Sequence, residues 1–491
     1  MDSPRLSNRP KGTVVAAVLS LLLLVNLAAS LYQLPLNLVI EKRLCLDYYL
    51  EHDRSQIGAG RNIDEALCKI DPVQKGLGWI QGTMDTIWVV GDFVMTIPMG
   101  FVADRYGRRV VLWLNLLPRL CMLSWAGLVG YLEHDLPAKA IIAGPLLSFL
   151  GGDCVFNSMA YSLVAGVTDD NVLRASYFGY MSAISYVVNL LGPALASISM
   201  TAFLGLPFAV GIFLLLIAAT VVRLVPDRNV TANKSSDEQA QPLLSSPILK
   251  AQQERPSLAR SVLERFSALK KALQNHSRNF TLMLTTFLLT SLASSDTKLL
   301  VQYISKRYKW TFASAGYLLS GKAIFNFFFL ALVVPRCIRF MSQSGSSTET
   351  TSASDRINVG LANMCLGVSI AGALAISLSA TIWFLIPALL IYALGAALPI
   401  FTLSLLKSPS ISGAQHSADN DVASFADEAD THIFSIVMLV KTLGSLIGAP
   451  LMAVVWVKAI DIGGIALGLP YFVSSACYIA ATAVFNQIMI P

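Results

Sequence analysis

The stretch GFVADRYGRR, residues 100–109, connects two long apolar segments of the chain. Segment 76–102 runs into it and segment 109–131 leaves it, and each is long enough to cross a bilayer as a helix, which takes about 20 apolar residues. A short turn with two glycines and several charged side chains belongs on a polar surface rather than in a protein core. The stretch therefore predicts a surface turn between two membrane-spanning helices.

The composition of the whole chain also indicates lipid as its solvent. Of the 491 residues, 55% are hydrophobic and only 13% are charged, whereas a soluble globular domain has about 25% charged residues. In lipid the backbone must satisfy its own hydrogen bonds, so only helices or closed β-barrels span a membrane. Because the apolar runs here are long and continuous, without the alternation of barrel strands, we expect helices.

Twelve apolar segments can be counted, six on each side of a long polar stretch. They predict an all-α integral membrane protein with an N-terminal six-helix half at 1–224 and a C-terminal six-helix half at 279–491. Between the halves, 225–278 is expected to be a cytoplasmic linker, in which 257–275 has the apolar spacing of an amphipathic helix on the membrane surface. The predicted spans are 13–39, 76–102, 109–131, 137–166, 175–201, 205–224, 279–304, 312–335, 358–378, 380–406, 431–457 and 465–488.

Residues 100–109 follow the pattern G-x-x-x-D-R-x-G-R-R at Gly100, Asp104, Arg105, Gly107, Arg108 and Arg109. They resemble the signature of the loop between helices 2 and 3 in the major facilitator superfamily. The resemblance implies a twelve-helix transporter that works by alternating access, with helices 1, 4, 7 and 10 lining a central cavity and the signature loop in the cytoplasm. Three shorter patches, one of them around 151–153, resemble the branch that contains proton-coupled folate transporters and their fungal relatives; a folate substrate does not follow from them.

The loop predicted before the eleventh span is acidic and is expected to oppose the signature loop. It carries Asp427, Glu428 and Asp430, which we expect to pair with the signature arginines in a cytoplasmic gate. Asp104 would lie near the N-terminus of helix 11, whose dipole favours an anion.

Two glycines and two arginines of the signature have structural interpretations as well. Gly107 permits a positive φ in the turn, and Gly100 permits a close approach of helices. The alternative to a gate is that Arg108 and Arg109 only end helix 2 and anchor it by the positive-inside bias of membrane proteins.

Ionisable residues inside the predicted spans are candidates for the proton or substrate site. A charge at the bilayer centre costs at least about 2.5 kcal/mol, so its presence indicates a function or a buried ion pair. By the family resemblance, Asp153 in span 4 and Asp296 in span 7 face the central cavity, a position that suits a proton carrier. An ion pair of Asp153 with Arg119 is the alternative. The further candidates are Asp85, Asp92, Arg119, Asn157 and Lys441.

Cys45 and Cys68 share the polar loop after the first span, out of seven cysteines in the chain. On the outer, oxidising side they would form a disulfide, and two free thiols are the alternative. No C-x-x-C or His-rich spacing predicts a metal site, and no nucleophile–base motif predicts an enzyme, so we expect no metal and no cofactor. The net charge of +6 comes without a patch of basic and aromatic residues, so nucleic acid is not an expected partner.

The sequence thus predicts a secondary active transporter, acting as a monomer in the lipid bilayer, that moves a small organic molecule with protons as its energy source. Export of a metabolite or toxic compound is favoured; an uptake symporter and a non-transporting membrane sensor remain alternatives. The distribution of Lys and Arg predicts both termini in the cytoplasm, although the bias depends on segment 223–278. The plasma membrane is favoured over the vacuolar membrane.

Overall fold

The structure, a computed structural model, describes residues 11–58, 63–131, 136–165, 167, 171–225, 278–333, 336, 350–405 and 423–488. Almost all of these residues are helical and none of them lies in a β-strand, as the apolar runs predict. Apart from its two end residues, the predicted linker, with its amphipathic helix at 257–275, lies outside this part of the chain.

Helices occupy all six spans of the predicted N-terminal half. The fourth span begins as a 3₁₀ helix and changes to an α-helix at a Gly-Gly pair. The elements are α1 (Lys11–His52), α2 (Asp71–Tyr106), α3 (Arg108–Tyr131), the 3₁₀ helix Ala138–Leu150, α4 (Asp153–Ala165), α5 (Asn171–Ala202) and α6 (Leu206–Val222), with short 3₁₀ turns at Arg54–Gln56 and Glu65–Cys68.

The predicted C-terminal half is also helical, and several of its spans are interrupted by 3₁₀ or π turns. The elements are α7 (Arg278–Ala293), the 3₁₀ turn Ser294–Leu299, α8 (Leu300–Tyr308), α9 (Phe312–Phe328) with the π turn Phe329–Val333, α10 (Thr350–Leu378), α11 (Ile382–Leu394), the 3₁₀ turn Gly395–Ala397, α12 (Leu398–Leu405), α13 (Ala423–Ile462), the 3₁₀ turn Gly464–Gly468 and α14 (Leu469–Phe485).

Every predicted span coincides with helical structure, and eight helices in the described ranges are long and apolar enough to cross a membrane. One prediction was wrong: residues 423–430, expected to be loop, form the start of α13. The physical reason is that the segment is rich in strong helix formers, namely Ala423, Ala426, Glu428 and Ala429.

The chain forms two compact units. The first comprises Met1–Pro247 and Ile304–Ser320, and the second comprises Ile248–Tyr303 and Gly321–Pro491. Segment 304–320 therefore packs with the first unit although its sequence lies in the C-terminal half.

Glycine at position 316 allows this packing. A Cβ added at Gly316 would overlap the Ser197 hydroxyl oxygen and would lie 2.6 Å from the Leu34 side chain. The missing Cβ lets α9 approach α1 and α5 this closely without a shift of the Ser197 and Leu34 side chains. Close approach at small residues is the usual way in which helices associate in lipid, where the hydrophobic effect between them is lost.

The second unit is built around α10, which packs against α11 and α14. Gly372 of α10 contacts the backbone of Tyr392 in α11: an added Cβ would lie 2.6 Å from the Tyr392 Cα and backbone nitrogen. Because Tyr392 reaches into the polar site described below, this contact helps to fix the position of its hydroxyl.

We predict that Gly372→Ala destabilises the second unit, because the added Cβ has no room and overpacking costs about 1–3 kcal/mol. Gly367→Ala in the same helix is the matched control: its Cβ would meet no heavy atom within 4 Å, and better helix propensity should stabilise by about 0.5–1 kcal/mol. Thermal unfolding of the purified protein in detergent measures both variants. Equal midpoints would contradict the close packing of α10 on Tyr392.

Candidate functional site

Helix α4 begins inside the span, and two glycines explain why. Gly151 has φ +143°, a conformation that L-residues with a Cβ rarely adopt. Gly152 follows, and the α-helical part of the span starts at Asp153. The first backbone N–H groups of α4, which have no partner within the helix, are therefore placed in the interior of the membrane protein.

Asp92 of α2 caps this interior helix end. Its Oδ2 accepts the N–H of Cys154 at 2.8 Å and its Oδ1 lies 3.5 Å from the N–H nitrogen of Val155. A Cβ on Gly152 would overlap Asp92 Cγ, so glycine is required for the contact. The positive end of the α4 dipole and its unpaired donors both favour a carboxylate here.

Asp153 forms an ion pair with Arg119 of α3, which is the alternative that the sequence left open. Arg119 Nη2 lies 2.6 Å from Asp153 Oδ1, and Arg119 Nε donates to Asn115 Oδ1 at 3.1 Å. The Trp88 indole N–H donates to Asp153 Oδ2 at 3.3 Å. The Arg119 side chain is 6% exposed and that of Asp153 is 59% exposed. The accessible part of the ion pair is therefore mainly the Asp153 carboxylate.

The ion pair is adjacent to a small, partly open cleft of the first unit, and Arg119 is one of its lining residues. Aromatic and aliphatic side chains line most of it, and Arg119 supplies its charged group. Tyr32 of α1 and Trp88 of α2 are the aromatic residues of the lining. Asn157, one turn after Asp153 on α4, and Asp85, seven residues before Asp92 on α2, are both half-buried.

The second unit contains a different polar site, centred on Asp296 in the 3₁₀ turn between α7 and α8. Asp296 is fully buried. The Tyr392 hydroxyl lies 3.1 Å and 3.2 Å from its two carboxylate oxygens, and the Tyr478 hydroxyl lies 3.3 Å from that of Tyr392. The Lys322 ammonium lies 5.5 Å from the centre of the Tyr392 ring. Within the described chain no Lys or Arg nitrogen lies within 4 Å of the Asp296 carboxylate.

Lys441 is half-buried in α13. Its backbone carbonyl accepts a hydrogen bond from the Ser291 hydroxyl of α7 at 2.6 Å. α13 approaches α7 closely at Gly444, where an added Cβ would lie 2.7 Å from the Leu288 carbonyl oxygen. Lys441 thus lies on the α13 surface that packs against α7, the helix that leads to Asp296.

The signature loop has the predicted turn geometry. Gly107 ends α2 with φ +92°, and its N–H donates to the Ala103 carbonyl at 2.9 Å. Arg108 donates to the Ser162 carbonyl near the end of α4 at 3.1 Å. Arg105 is exposed, and Arg109 is half-buried.

Gly100 and the acidic side of the gate keep their expected roles as predictions. A Cβ added at Gly100 would have no described heavy atom within 4 Å, and glycine at this position still permits a close approach of helices. The side chains of Asp104, Asp427, Glu428 and Asp430 lie outside the described part of the structure.

The Cys45–Cys68 disulfide is present, so that prediction is confirmed. Sequence reasoning missed four residues that complete the two sites: Trp88, Asn115, Tyr392 and Tyr478. Asn115 is four residues before Arg119, a helical spacing that could have linked them. The two tyrosines carry no such signal, because they are far from Asp296 in sequence.

A comparison with protein families decides the class. Residues 69–449 match the model of the Major Facilitator Superfamily. The chain belongs to this superfamily. The resemblance of residues 100–109 to its signature is thereby confirmed, and so is the all-α membrane fold.

Curated relatives in this superfamily include fungal transporters. The MFS efflux pump atnC of Emericella nidulans is 26% identical over 504 residues, which cover 100% of this chain and 92% of that protein. The efflux pump ustT of Aspergillus flavus is 26% identical over 336 residues, which cover 65% of this chain and 62% of that protein.

Solved superfamily structures share the fold at low sequence identity. The human organic anion transporter MFSD10 has 15% identity and a TM-score of 0.57, with coverage of 97% of this chain and 100% of that chain. A D-xylose–proton symporter has 13% identity and a TM-score of 0.56, with coverage of 98% of both chains.

We predict that Asp92→Ala and Gly152→Ala are each destabilising but that the double variant loses less stability than the sum of the two. Asp92→Ala removes a helix cap, which costs about 0.5–2 kcal/mol, whereas Gly152→Ala forces a Cβ against the carboxyl group. Asp92→Ala removes the Cγ and Oδ1 atoms that the added Cβ would overlap and leaves the Asp92 Cβ at 2.5 Å, so part of the overlap is relieved. A double-mutant cycle on thermal unfolding measures the coupling, and additive losses would contradict the contact.

Proposed function

We propose that this transporter of the Major Facilitator Superfamily exports a small organic molecule in exchange for protons, by alternating access. As a superfamily member, the chain is an integral membrane transporter of small molecules. Proton coupling, direction and membrane orientation are the proposed parts. The observation that carries the coupling is the Asp296 site.

Asp296 supports proton coupling by its surroundings. A fully buried carboxylate without an ion pair is costly in a membrane protein, and here its hydrogen-bond partners are the hydroxyl groups of Tyr392 and Ser474. Such a carboxyl is stable when protonated and becomes tolerable as an anion only if water or a cation reaches it. Lys322 lies beside the Tyr392 ring and is our candidate for the cation that stabilises the Asp296 anion.

The Asp153–Arg119 pair supports a separate role in substrate binding. The positive charge of Arg119 stabilises the Asp153 carboxylate. Loss and gain of a proton during the transport cycle are therefore less favourable at Asp153 than at Asp296. Its carboxylate is exposed beside a cleft with Tyr32 and Trp88. A small organic molecule with an aromatic or aliphatic body and a polar group matches this lining.

The disulfide supports the proposed orientation. Disulfides form in oxidising compartments, and Cys45 lies near the C-terminal end of α1. The N-terminal end of α1 is then cytoplasmic, and α2 returns the chain to the cytoplasm at the signature loop. Twelve spans return the C-terminus to the same side. We place the protein in the plasma membrane, where an exporter removes a compound from the cell.

Export is supported by the names of the relatives, of which atnC and ustT are efflux pumps. We keep the cytoplasmic gate between the signature loop and Asp427, Glu428 and Asp430 as part of the proposal. Arg108 donates a hydrogen bond to the Ser162 carbonyl near the end of α4. A movement of the signature loop would therefore displace α4, the helix that carries Asp153.

We predict that Asp296→Asn abolishes transport driven by a pH gradient but leaves exchange intact. In wild-type proteoliposomes, a pH difference of one unit gives about tenfold accumulation for one proton per substrate. The asparagine amide cannot exchange a proton, so the variant should equilibrate labelled against unlabelled compound without accumulating it. A panel of small aromatic and aliphatic metabolites supplies the compounds, with lumenal dye reporting proton flux.

Asp47→Asn is the matched control, because Asp47 is an exposed carboxyl on α1 and should behave as wild type. Accumulation by Asp296→Asn would assign the proton to another residue. Wild-type exchange without any response to the gradient would contradict proton coupling while leaving transport established.

We predict that cells without the protein retain more of the transported compound and grow less well in its presence. Expression of the wild-type chain should reverse both effects, and Asp296→Asn should not. Cellular content is measured after loading and washing. Lower retention in cells without the protein would instead establish uptake.

A further inference from the structure

The connection between α8 and α9 is held by the loop that carries the disulfide. Lys306 lies in the last turn of α8 and Phe312 begins α9. Both contact residues that closely flank Cys68, and all of these residues belong to the first compact unit. The contacts form two tethers around one buried lysine.

Lys69, the residue after Cys68, is at the centre of the cluster. Its side chain is 1% exposed, and its ammonium lies 2.7 Å from a Glu41 carboxylate oxygen and 3.0 Å from Glu65 Oε1. Gln74 donates to Glu41 and to the Cys68 carbonyl. The disulfide ties Cys68 to α1, so Lys69 cannot move away from Glu41 without moving the cross-linked loop.

The first tether joins Glu65 to the start of α9. Glu65 Oε1 accepts the backbone N–H of Phe312 at 2.8 Å, where the helix dipole favours an anion. The Lys69 ammonium lies 4.4 Å from the centre of the Phe312 ring, and Phe312 is fully buried. Glu65 and Lys69 together therefore hold both the backbone and the side chain of Phe312.

The second tether joins Lys306 to the start of α2. Its ammonium donates to the Lys69 carbonyl at 2.6 Å and to Asp71 Oδ1 at 2.5 Å. The Lys306 side chain is 11% exposed and that of Asp71 is 61% exposed, so the lysine end of the pair is largely shielded from salt. Charged contacts of this kind are stronger than neutral hydrogen bonds.

The two tethers lie at one end of the interrupted span that contains Asp296. Lys306 is ten residues after Asp296, on the same interrupted span, yet Asp296 belongs to the second unit and Lys306 to the first. The boundary between the units falls inside α8, between Tyr303 and Ile304. The tethers thus hold the end of the span that carries the buried carboxyl.

We propose that Glu65, Lys69, Asp71 and Lys306 form a latch, clamped by the Cys45–Cys68 disulfide, that must release the α8–α9 connection before the disulfide side of the transporter opens. The latch requires neither the export direction nor proton coupling, and concerns only the cycle of a transporter. Loss of either tether, or of the disulfide, should favour the opened state.

A buried position under the latch reports its opening. Ala315, in the first turn of α9, is fully buried. An Ala315→Cys variant is treated with a water-soluble maleimide in lipid nanodiscs, and its modification is quantified by mass spectrometry of the peptide that contains position 315. The measurement needs no substrate and no pH gradient, so its failure is distinct from failure of the proposed function.

Introducing Lys306→Gln into the Ala315→Cys variant should raise the rate of maleimide modification at position 315 about tenfold. This factor corresponds to about 1.4 kcal/mol. Glu65→Gln and the pair Cys45→Ser with Cys68→Ser should act in the same direction. Lys309→Gln is the matched control, because Lys309 lies in the same connection, is exposed, and has no contact in the latch. It should leave the rate unchanged.

Equal rates for Lys306→Gln and Lys309→Gln would overturn the latch. Unfolding is checked by the thermal midpoint of every variant and, in the variants that keep both cysteines, by an intact Cys45–Cys68 disulfide. A second measurement uses Lys306→Cys with Asp71→Cys: oxidation should cross-link the two positions and suppress both modification at position 315 and transport, relative to the same variant before oxidation. Undiminished transport by the cross-linked fraction would also overturn the proposal.

Discussion

Asp92 closes the open end of α4 inside the membrane, and the polar site of the first unit depends on that contact. A helix that starts in the middle of a span leaves N–H groups that lipid cannot satisfy. A carboxylate from α2 satisfies them, and the Gly151–Gly152 pair provides the conformation and the space. Asp153 can then stand at the helix start, where Arg119 and Trp88 reach it. The helix break at Gly151–Gly152, the cap by Asp92 and the Asp153–Arg119 ion pair therefore depend on one another.

The two units solve the problem of a buried charge in different ways. In the first unit, Asp153 has a cationic partner and Asp92 has a helix end. In the second, Asp296 has only hydroxyl hydrogen bonds among the described residues. This asymmetry is the reason for which we propose that the Asp153–Arg119 pair contacts the substrate and that Asp296 carries the proton.

Local signals in the sequence predicted the spans, the Gly107 turn, the disulfide and the presence of acids in the membrane, because hydropathy, glycine and charge act over a few residues. They did not predict Tyr392 or Tyr478 beside Asp296, since contacts between helices distant in sequence depend on rotations that hydropathy does not fix. The start of α13 at Ala423 was missed because the acidic residues of this segment were interpreted as a polar loop, whereas its alanines and Glu428 favour a helix.

The disulfide has a consequence for how the protein is made. Its spans depend on apolar sequence and need no oxidant, whereas the loop that holds the α8–α9 connection is complete only after Cys45 and Cys68 have been oxidised. A newly synthesised chain can therefore be inserted and helical before its final cross-link exists. In the orientation proposed above, oxidation in the secretory lumen would complete this loop, and a preparation made under reducing conditions would keep the helices and lack the cross-link.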